Sequence, residues 1–285
     1  MRIRPVVVIA LLALLGGLGA VVIVVDSMSG SLTLPKIGPA CVVRADGEVS
    51  LDATQMANAA TIAAVGVRRK MPEQAVVIAL ATALQESKLE NIEHGDRDSL
   101  GLFQQRPSQG WGTPEQVNDP RYSAGKFYAA LKKVKGYQKM RVTDAAQRVQ
   151  RSAYPEAYEK WADESAVLAR ALTGRATGAV ECTVSGEPVL RGAAAATALL
   201  DELRLDWGKS LAGAAGAQAA GLTLEVKDLN SGWRYAHWLV SHAGDSGLER
   251  VRFADLEWSA GEGTWVPVGK DRAAGNSAVQ ADVFS

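Results

Sequence analysis

Residues 75–84 of the chain read AVVIALATAL, and residues 85–87 read QES. The first stretch is apolar on every side of a helix, so it predicts a buried central helix over residues 73–87. Glu86 then lies near the carboxyl end of that helix. Apolar surroundings and the negative end of the helix dipole both raise the pKa of a carboxyl group in such a place. The sequence therefore predicts an acid that keeps its proton near neutral pH, unless Glu86 is exposed and paired with Lys88.

Further helices are predicted on both sides of this segment. Apolar residues recur at helical spacing, Thr143 and Asp144 are a candidate cap, and Gly174 is a stop signal. The predicted helices cover residues 52–69, 121–133, 144–151 and 156–172. Residues 90–111, rich in Gly, Asp and Ser, predict a long loop or small hairpin. Long loops on a rigid scaffold commonly carry function, so we expect part of the site there.

The character of the sequence changes after residue 182. Residues 193–203 and 232–244 have helical spacing, and residues 212–221, an Ala/Gly stretch, predict a flexible loop. The alternation typical of strands is found at residues 222–227, 251–258 and 264–268. We therefore predict an α+β protein, with a mainly α-helical domain over residues 41–182 and a small α+β domain of unknown role over residues 183–285.

Four of the seven tryptophans lie in this last segment. Such residues form either a surface on which sugars stack or part of the core, and we favour the core. They are Trp233, Trp238, Trp258 and Trp265.

The N-terminus predicts export. Arg2 and Arg4 precede an uncharged run over residues 6–25. Twenty helical residues span about 30 Å, the thickness of a bilayer core, and arginines on the short side favour a cytoplasmic N-terminus. We interpret residues 1–26 as an anchor in the cytoplasmic membrane, with a cleaved signal sequence as the alternative. Residues 27–40 are then a linker, and in both cases the body is extracytoplasmic.

The chain has two cysteines, Cys41 and Cys182. In an exported protein, such a pair forms a disulfide more often than two free thiols. The bridge would close a loop of about 140 residues and stabilise the fold by roughly 4–5 kcal/mol in the chain-entropy model. Two unrelated buried thiols are the alternative. A catalytic cysteine is disfavoured because neither residue has a His or a helix N-terminus nearby.

Composition and spacing exclude several other classes of function. The 31 basic residues equal the 31 acidic ones, so the chain lacks the positive charge that nucleic-acid binding requires. His237 and His242 are five residues apart rather than the four that place two ligands on one helical face, and His94 is remote. We expect no metal and no cofactor. A single apolar segment argues against a transporter, and the motifs of wall peptidases are missing.

A motif follows Glu86 at a fixed interval. Residues 101–104 (GLFQ) begin fifteen positions after it, and Pro107 comes next. This arrangement resembles the soluble lytic transglycosylases, in which Glu-Ser ends a buried helix and Gly-Leu-Met-Gln follows. Residues 95–97 (GDR) resemble the goose-type lysozymes. The wider segment is similar to lysozyme-like modules of actinobacterial cell-wall proteins and phage tails, and the resemblance covers about residues 50–173.

The resemblance implies a lysozyme-like fold and cleavage of the β-1,4 bond between N-acetylmuramic acid and N-acetylglucosamine in peptidoglycan. Glu86 would be the general acid, and residues 101–104 the floor of the glycan groove. Gln104 would bond an acetamido group or fix Glu86, whereas Phe103 either contacts a sugar or fills the core. Trp111 is a stacking platform or a structural residue. The implied substrate-binding residues are Ser87, Gly101, Leu102, Phe103, Gln104, Trp111 and Tyr154.

A second carboxylate decides the type of reaction. A muramidase needs one as nucleophile or to activate water, and Asp96 is the first candidate, followed by Asp98. Goose-type lysozymes carry a further Asp where this chain has Arg106. Lytic transglycosylases need no second acid, because the acetamido group of the substrate assists and a 1,6-anhydro product forms. Their Tyr-Asn-Ala-Gly motif is replaced by residues 151–153 (RSA), with Tyr154 as a candidate substitute; we slightly favour this class over the muramidases.

The main alternative is a protein without catalytic activity. A peptidoglycan-binding or cell-wall scaffold protein can keep the lysozyme-like fold as a binding groove, and the altered motifs favour it. The two hypotheses differ in whether Glu86→Gln changes the cleavage of peptidoglycan.

Overall fold

The computed structural model describes residues 41–285, except residues 209–210, 212–213, 219, 270 and 272. The predicted anchor and linker, residues 1–40, lie outside the described residues. Within the described part of the chain, no helix is both long and apolar enough to cross a membrane.

Helices make up most of the first segment, largely where the sequence predicts them. Asp52 caps the first helix in a reciprocal pair of hydrogen bonds with Gln55, and Pro72 precedes the second. The helices are α1 (Ala53–Arg68), α2 (Glu73–Ser87), α3 (Pro114–Val117), α4 (Pro120–Leu131), α5 (Val142–Gln150), α6 (Ala162–Leu172), α7 (Gly192–Trp207), α8 (Leu229–Ser241) and α9 (Ala243–Ser246). Short 3₁₀ turns cover Pro107–Gln109, Tyr137–Lys139 and Glu159–Trp161.

The predicted cap of α5 is wrong. The helix begins at Val142, before Thr143 and Asp144, and neither side chain caps it. Instead the Glu159 carboxylate accepts a hydrogen bond from the Thr143 backbone N–H at 2.9 Å. The acceptor comes from a residue sixteen positions away, which local sequence does not reveal.

A three-stranded sheet ties the two ends of the first segment together. Its strands are β1 (Cys41–Arg44), β2 (Glu48–Leu51) and β3 (Val180–Cys182), in the order β2-β1-β3. Cys41 and Cys182 face each other across β1 and β3 and form a disulfide, which confirms the predicted bridge. These strands are not predicted from sequence, because each is only three or four residues long.

A six-stranded antiparallel sheet occupies the second segment, in the order β4-β5-β9-β6-β7-β8. Its strands are β4 (Ala214–Gln218), β5 (Gly221–Glu225), β6 (Leu248–Ala254), β7 (Leu256–Ser259), β8 (Trp265–Pro267) and β9 (Gly275–Val283). The predicted flexible loop over 212–221 is wrong, since β4 pairs with β5 there. Residues 251–258 are a hairpin rather than one strand, with the turn at Asp255. The α+β fold class is confirmed.

Helix α2 lies in the middle of the helical segment. Every residue from Ala75 to Leu84 is buried, and α1, α4, α5 and α6 pack around it. The prediction of a buried central helix is confirmed, with the predicted bounds. This packing places the last residues of α2 at the edge of the core, next to the loop that follows the helix.

The hydrophobic core continues from the first segment into the second. Helix α8 packs against α1 and α6 on one side and against the large sheet on the other. Trp233, Trp238 and Trp258 are buried in this core, as expected, and Trp265 is partly buried against it. The proposed boundary between residues 182 and 183 therefore crosses a continuous core, and separate domains stay a prediction.

Candidate active site

Glu86 is the penultimate residue of α2 and is half-buried. Its Oε1 accepts a hydrogen bond from the Tyr158 hydroxyl at 2.6 Å and a second from Gln150 Nε2 at 3.2 Å. Lys88 is not its partner: the Lys88 ammonium donates to the Leu84 carbonyl and lies 4.1 Å from the centre of the Trp161 ring. The alternative of an exposed Glu86 paired with Lys88 is therefore wrong.

Burial raises the pKa of the Glu86 carboxyl, and the hydrogen bonds from Tyr158 and Gln150 offset this effect only in part. The predicted direction is confirmed. Both bonds end on Oε1, so Oε2 is the oxygen that can carry and donate a proton. The arrangement suits a general acid, because burial shifts the equilibrium toward the neutral form that donates a proton and two donors stabilise the carboxylate afterwards.

Tyr158 is fully buried, and sequence reasoning missed it. Burial, followed by the charge of Glu86, raises the pKa of its hydroxyl, which keeps Tyr158 a donor. The resemblance points to Tyr154 through its place in the family motif, but Tyr154 is 75% exposed and forms no hydrogen bond with Glu86. The contact of Tyr158 with Glu86 joins residues 72 positions apart, and the family motif does not indicate it; binding of substrate by Tyr154 stays a prediction.

The loop over residues 101–104 is fastened to the end of α2. The Ser87 hydroxyl is buried and donates to the Leu102 carbonyl at 2.9 Å, and Gln150 Nε2 donates to the Phe103 carbonyl at 2.8 Å. Gly101 has φ +73°, and a Cβ there would lie 2.6 Å from the Val117 carbonyl oxygen. Glycine is therefore required for close packing of backbone on backbone. The predicted neighbourhood of Glu86 and this loop is confirmed.

The side chains of this loop divide between core and surface. Leu102 and Phe103 are fully buried, and the Phe103 ring stacks on Phe127 with centroids 4.8 Å apart. Phe103 thus fills the core. Gln104 is half-buried, and its Nε2 donates to the Gly101 carbonyl at 3.2 Å. A Cβ on Gly95 would lie 1.9 Å from Gln104 Oε1, so a larger residue at position 95 would displace the Gln104 side chain. Binding of substrate by these residues stays a prediction.

The two candidate second acids are placed differently. The Asp96 side chain is 93% exposed, and its only charged neighbour among the described residues is Arg97, at 3.9 Å. Asp98 accepts hydrogen bonds from Arg106 Nε at 2.8 Å and from the backbone N–H and hydroxyl of Ser108. The Arg106 guanidinium, followed by Ser108, lowers the pKa of Asp98. Goose-type lysozymes carry an acid at the position of Arg106. In this chain the positive charge of Arg106 instead compensates the negative charge of Asp98.

A cavity of about 680 Å³ adjoins the site. We call it the basic cavity; Trp111, Lys133, Arg148, Gln150 and Arg151 line it, together with apolar side chains. Trp111 is half-buried against the core, so it combines a structural contact with a face toward this cavity. Gln150, which sequence reasoning also missed, belongs both to the cavity and to the Glu86 site.

No cluster of three His, Cys, Asp or Glu side chains suited to a metal ion occurs among the described residues. His237 is a core residue: its Nε2 accepts from the Ala179 N–H at 2.9 Å, and its Nδ1 lies 2.8 Å from the Ala171 carbonyl. Burial lowers its pKa to about 4, so the ring is neutral.

No protein-family model matches the chain, and no curated protein matches it in sequence.

Proposed function

We propose that the chain cleaves the β-1,4 glycosidic bond between N-acetylmuramic acid and N-acetylglucosamine in peptidoglycan, with Glu86 as the general acid. The observation that carries the proposal is the placement of Glu86. It ends an apolar helix, burial raises its pKa, and it adjoins the 101–104 loop that the resemblance assigns to the glycan groove. Glycosidases need a carboxyl group that is still protonated near neutral pH.

The first chemical step transfers a proton from Glu86 Oε2 to the glycosidic oxygen as the bond from that oxygen to C1 breaks. Glu86 is then a carboxylate, and the donors from Tyr158 and Gln150 stabilise its negative charge at Oε1. These two side chains also fix the direction of the carboxyl group, which is a large part of how positioned acids accelerate reactions.

A lytic transglycosylase is favoured over a muramidase. Asp98 is bound by Arg106 and Ser108, and Asp96 is directed to solvent. Neither acid forms a hydrogen bond with the groups around Glu86 in the described structure. In the substrate-assisted reaction, the acetamido oxygen attacks C1 as the leaving oxygen takes the proton of Glu86. The C6 hydroxyl then attacks C1 and displaces the acetamido oxygen, whose bond to C1 breaks, so that the acetamido group is restored. The C6 hydroxyl proton returns to Glu86, and a 1,6-anhydro sugar results.

Mass spectrometry of products from purified peptidoglycan tests the proposal. Wild type should release fragments with anhydro-muramic ends, and Glu86→Gln should release almost none while keeping its fold by circular dichroism. Glu90→Gln, which changes an exposed carboxyl group four residues later, is the matched control and should retain activity. Reducing ends would identify a muramidase instead. No products from the wild type, with glycan binding intact, would contradict catalysis and favour the scaffold alternative.

The extracytoplasmic location is a second part of the proposal. The basic and apolar N-terminal residues and the Cys41–Cys182 disulfide support it, because such bridges persist in oxidising compartments. Protease added to intact cells or spheroplasts should degrade the body of the protein. Resistance under conditions in which a known exported protein is cut would contradict export.

A further inference from the structure

The basic cavity carries three cations that the proposed chemical step does not use. Lys133, Arg148 and Arg151 are exposed, and none of them has an ion-pair partner among the described residues. No acidic side chain of the described residues lines the cavity. Three like charges without a counter-ion create a positive potential that attracts an anion.

The position of the cavity relates it to the glycan strand. Gln150 lines the cavity and donates to Glu86 Oε1 and to the Phe103 carbonyl, at 3.2 Å and 2.8 Å. A strand with its scissile bond at Glu86 therefore has neighbouring sugars within reach of the cavity. The partly buried Trp111 offers these sugars an aromatic face on which a pyranose ring can stack.

We propose that the basic cavity binds carboxylate groups carried by the glycan strand. It would thereby distinguish peptidoglycan from neutral polymers of N-acetylglucosamine. This inference rests on the proposed function, since it takes the strand to lie at Glu86. Carboxylates are the fitting anions because muramic acid carries a lactyl carboxyl group and the stem peptides carry more. The guanidinium groups of Arg148 and Arg151 match the planar, two-oxygen shape of a carboxylate.

Binding measurements separate this inference from catalysis. The full chain with Glu86→Gln, which prevents turnover, is titrated calorimetrically with three soluble ligands. Chito-oligosaccharides have no carboxylate, amidase-treated glycan strands keep only lactyl carboxylates, and untreated strands keep the stem peptides. If the cavity binds lactyl carboxylates, both carboxylate-bearing ligands should bind more tightly than the chito-oligosaccharide. If it binds the carboxylates of the stem peptides, only the untreated strands should do so.

The variant Lys133→Gln/Arg148→Gln/Arg151→Gln should weaken binding of the carboxylate-bearing strands by roughly tenfold, since three exposed ion pairs, each of modest strength, are lost together. Its affinity for the chito-oligosaccharide should not change. The matched control removes three exposed cations outside the basic cavity and should leave all affinities unchanged. It carries Arg69→Gln, Lys70→Gln and Lys227→Gln. The single variant Arg148→Gln, with a smaller loss, replaces the triple variant if the latter does not fold.

Equal affinity of the parent protein for all three ligands would overturn the inference. Equal losses in the cavity variant and the control would also overturn it, as would a failure to bind any strand. The proposed function is decided separately by the products of the wild type. Cleavage without selectivity for charge removes only the inference, and charge-selective binding without cleavage removes only the catalytic proposal.

Discussion

Two carboxyl groups occupy the same position in two helices but have different partners. Glu86 is the penultimate residue of α2, and Asp206 is the penultimate residue of α7. Asp206 is fully buried and accepts hydrogen bonds from Arg121 Nε at 2.6 Å, Trp238 Nε1 at 2.7 Å and Thr61 Oγ1 at 2.9 Å. Among the described residues, Glu86 has only the two neutral donors Tyr158 and Gln150.

The two carboxyl groups differ in whether a positively charged side chain is bound to them. Arg121 gives Asp206 a charged partner, so the pair joins four helices, α1, α4, α7 and α8, as a structural link. Glu86 has no cationic partner in the part of the chain that the structure describes, and burial therefore favours its protonated form. A half-buried acid without a cation is suited to proton transfer, whereas a fully buried acid with one is suited to holding the fold together.

The largest expected effect separates the two carboxyl groups by activity. Glu86→Gln should lower kcat for peptidoglycan cleavage by about 10²–10⁴-fold, the usual contribution of a general acid. Asp206→Asn, measured at a temperature at which it is folded, should stay within about threefold of wild type. A similar loss of kcat in both variants would contradict the assignment of separate roles.

The free energy of unfolding should depend more on Asp206 than on Glu86. Asp206→Asn leaves Arg121 with one charged partner, Glu202, and should lower the free energy of unfolding by about 3 kcal/mol in urea denaturation. The control is Asp201→Asn on the same helix, where an exposed ion pair with Arg204 contributes less than about 0.5 kcal/mol. If the two variants were equally stable, Asp206 would not be a structural link.

The pH dependence of stability should distinguish Glu86→Gln from wild type. The folded-state pKa of Glu86 is raised, so its favourable contribution is present at low pH and is lost as the pH rises through that pKa. Glutamine cannot ionise. The Tm of the variant should therefore match wild type at about pH 4 and exceed it at about pH 8. A gap that shrinks as the pH rises would contradict the buried environment.

The smallest expected effect concerns Tyr158. Its hydrogen bond lowers the pKa of Glu86, so Tyr158→Phe should shift the alkaline limb of the activity profile to higher pH. The plateau rate should fall by roughly tenfold, because a hydrogen bond to a charged group contributes about 1.5 kcal/mol. Tyr235→Phe, on helix α8 and outside the candidate site, is the control and should move neither. An alkaline limb that stays in place would contradict the bond to Glu86.

The sequence predicts the candidate site only in part. The apolar run of α2 and the fixed spacing to Gly101 lead to Glu86 and to the adjoining loop, since both signals are local. Tyr158 and Gln150, 72 and 64 residues further along the chain, could not be found in this way. Asp98 also shows the limit of sequence reasoning, because its pairing with Arg106 becomes visible only when the loop is folded.

The amino-acid sequence alone determined the central helix, its terminal acid, the disulfide and the approximate positions of most long helices, although the helix predicted over residues 156–172 begins at Ala162. These features depend on periodicity, capping residues and cysteine number, which are properties of neighbouring residues. Tertiary structure alone decided the strands β4 and β9, the donors on Glu86, the ion pair at Asp206 and the basic cavity. Each of these depends on which distant residues packing brings within hydrogen-bond or ion-pair distance, and no local pattern encodes that choice.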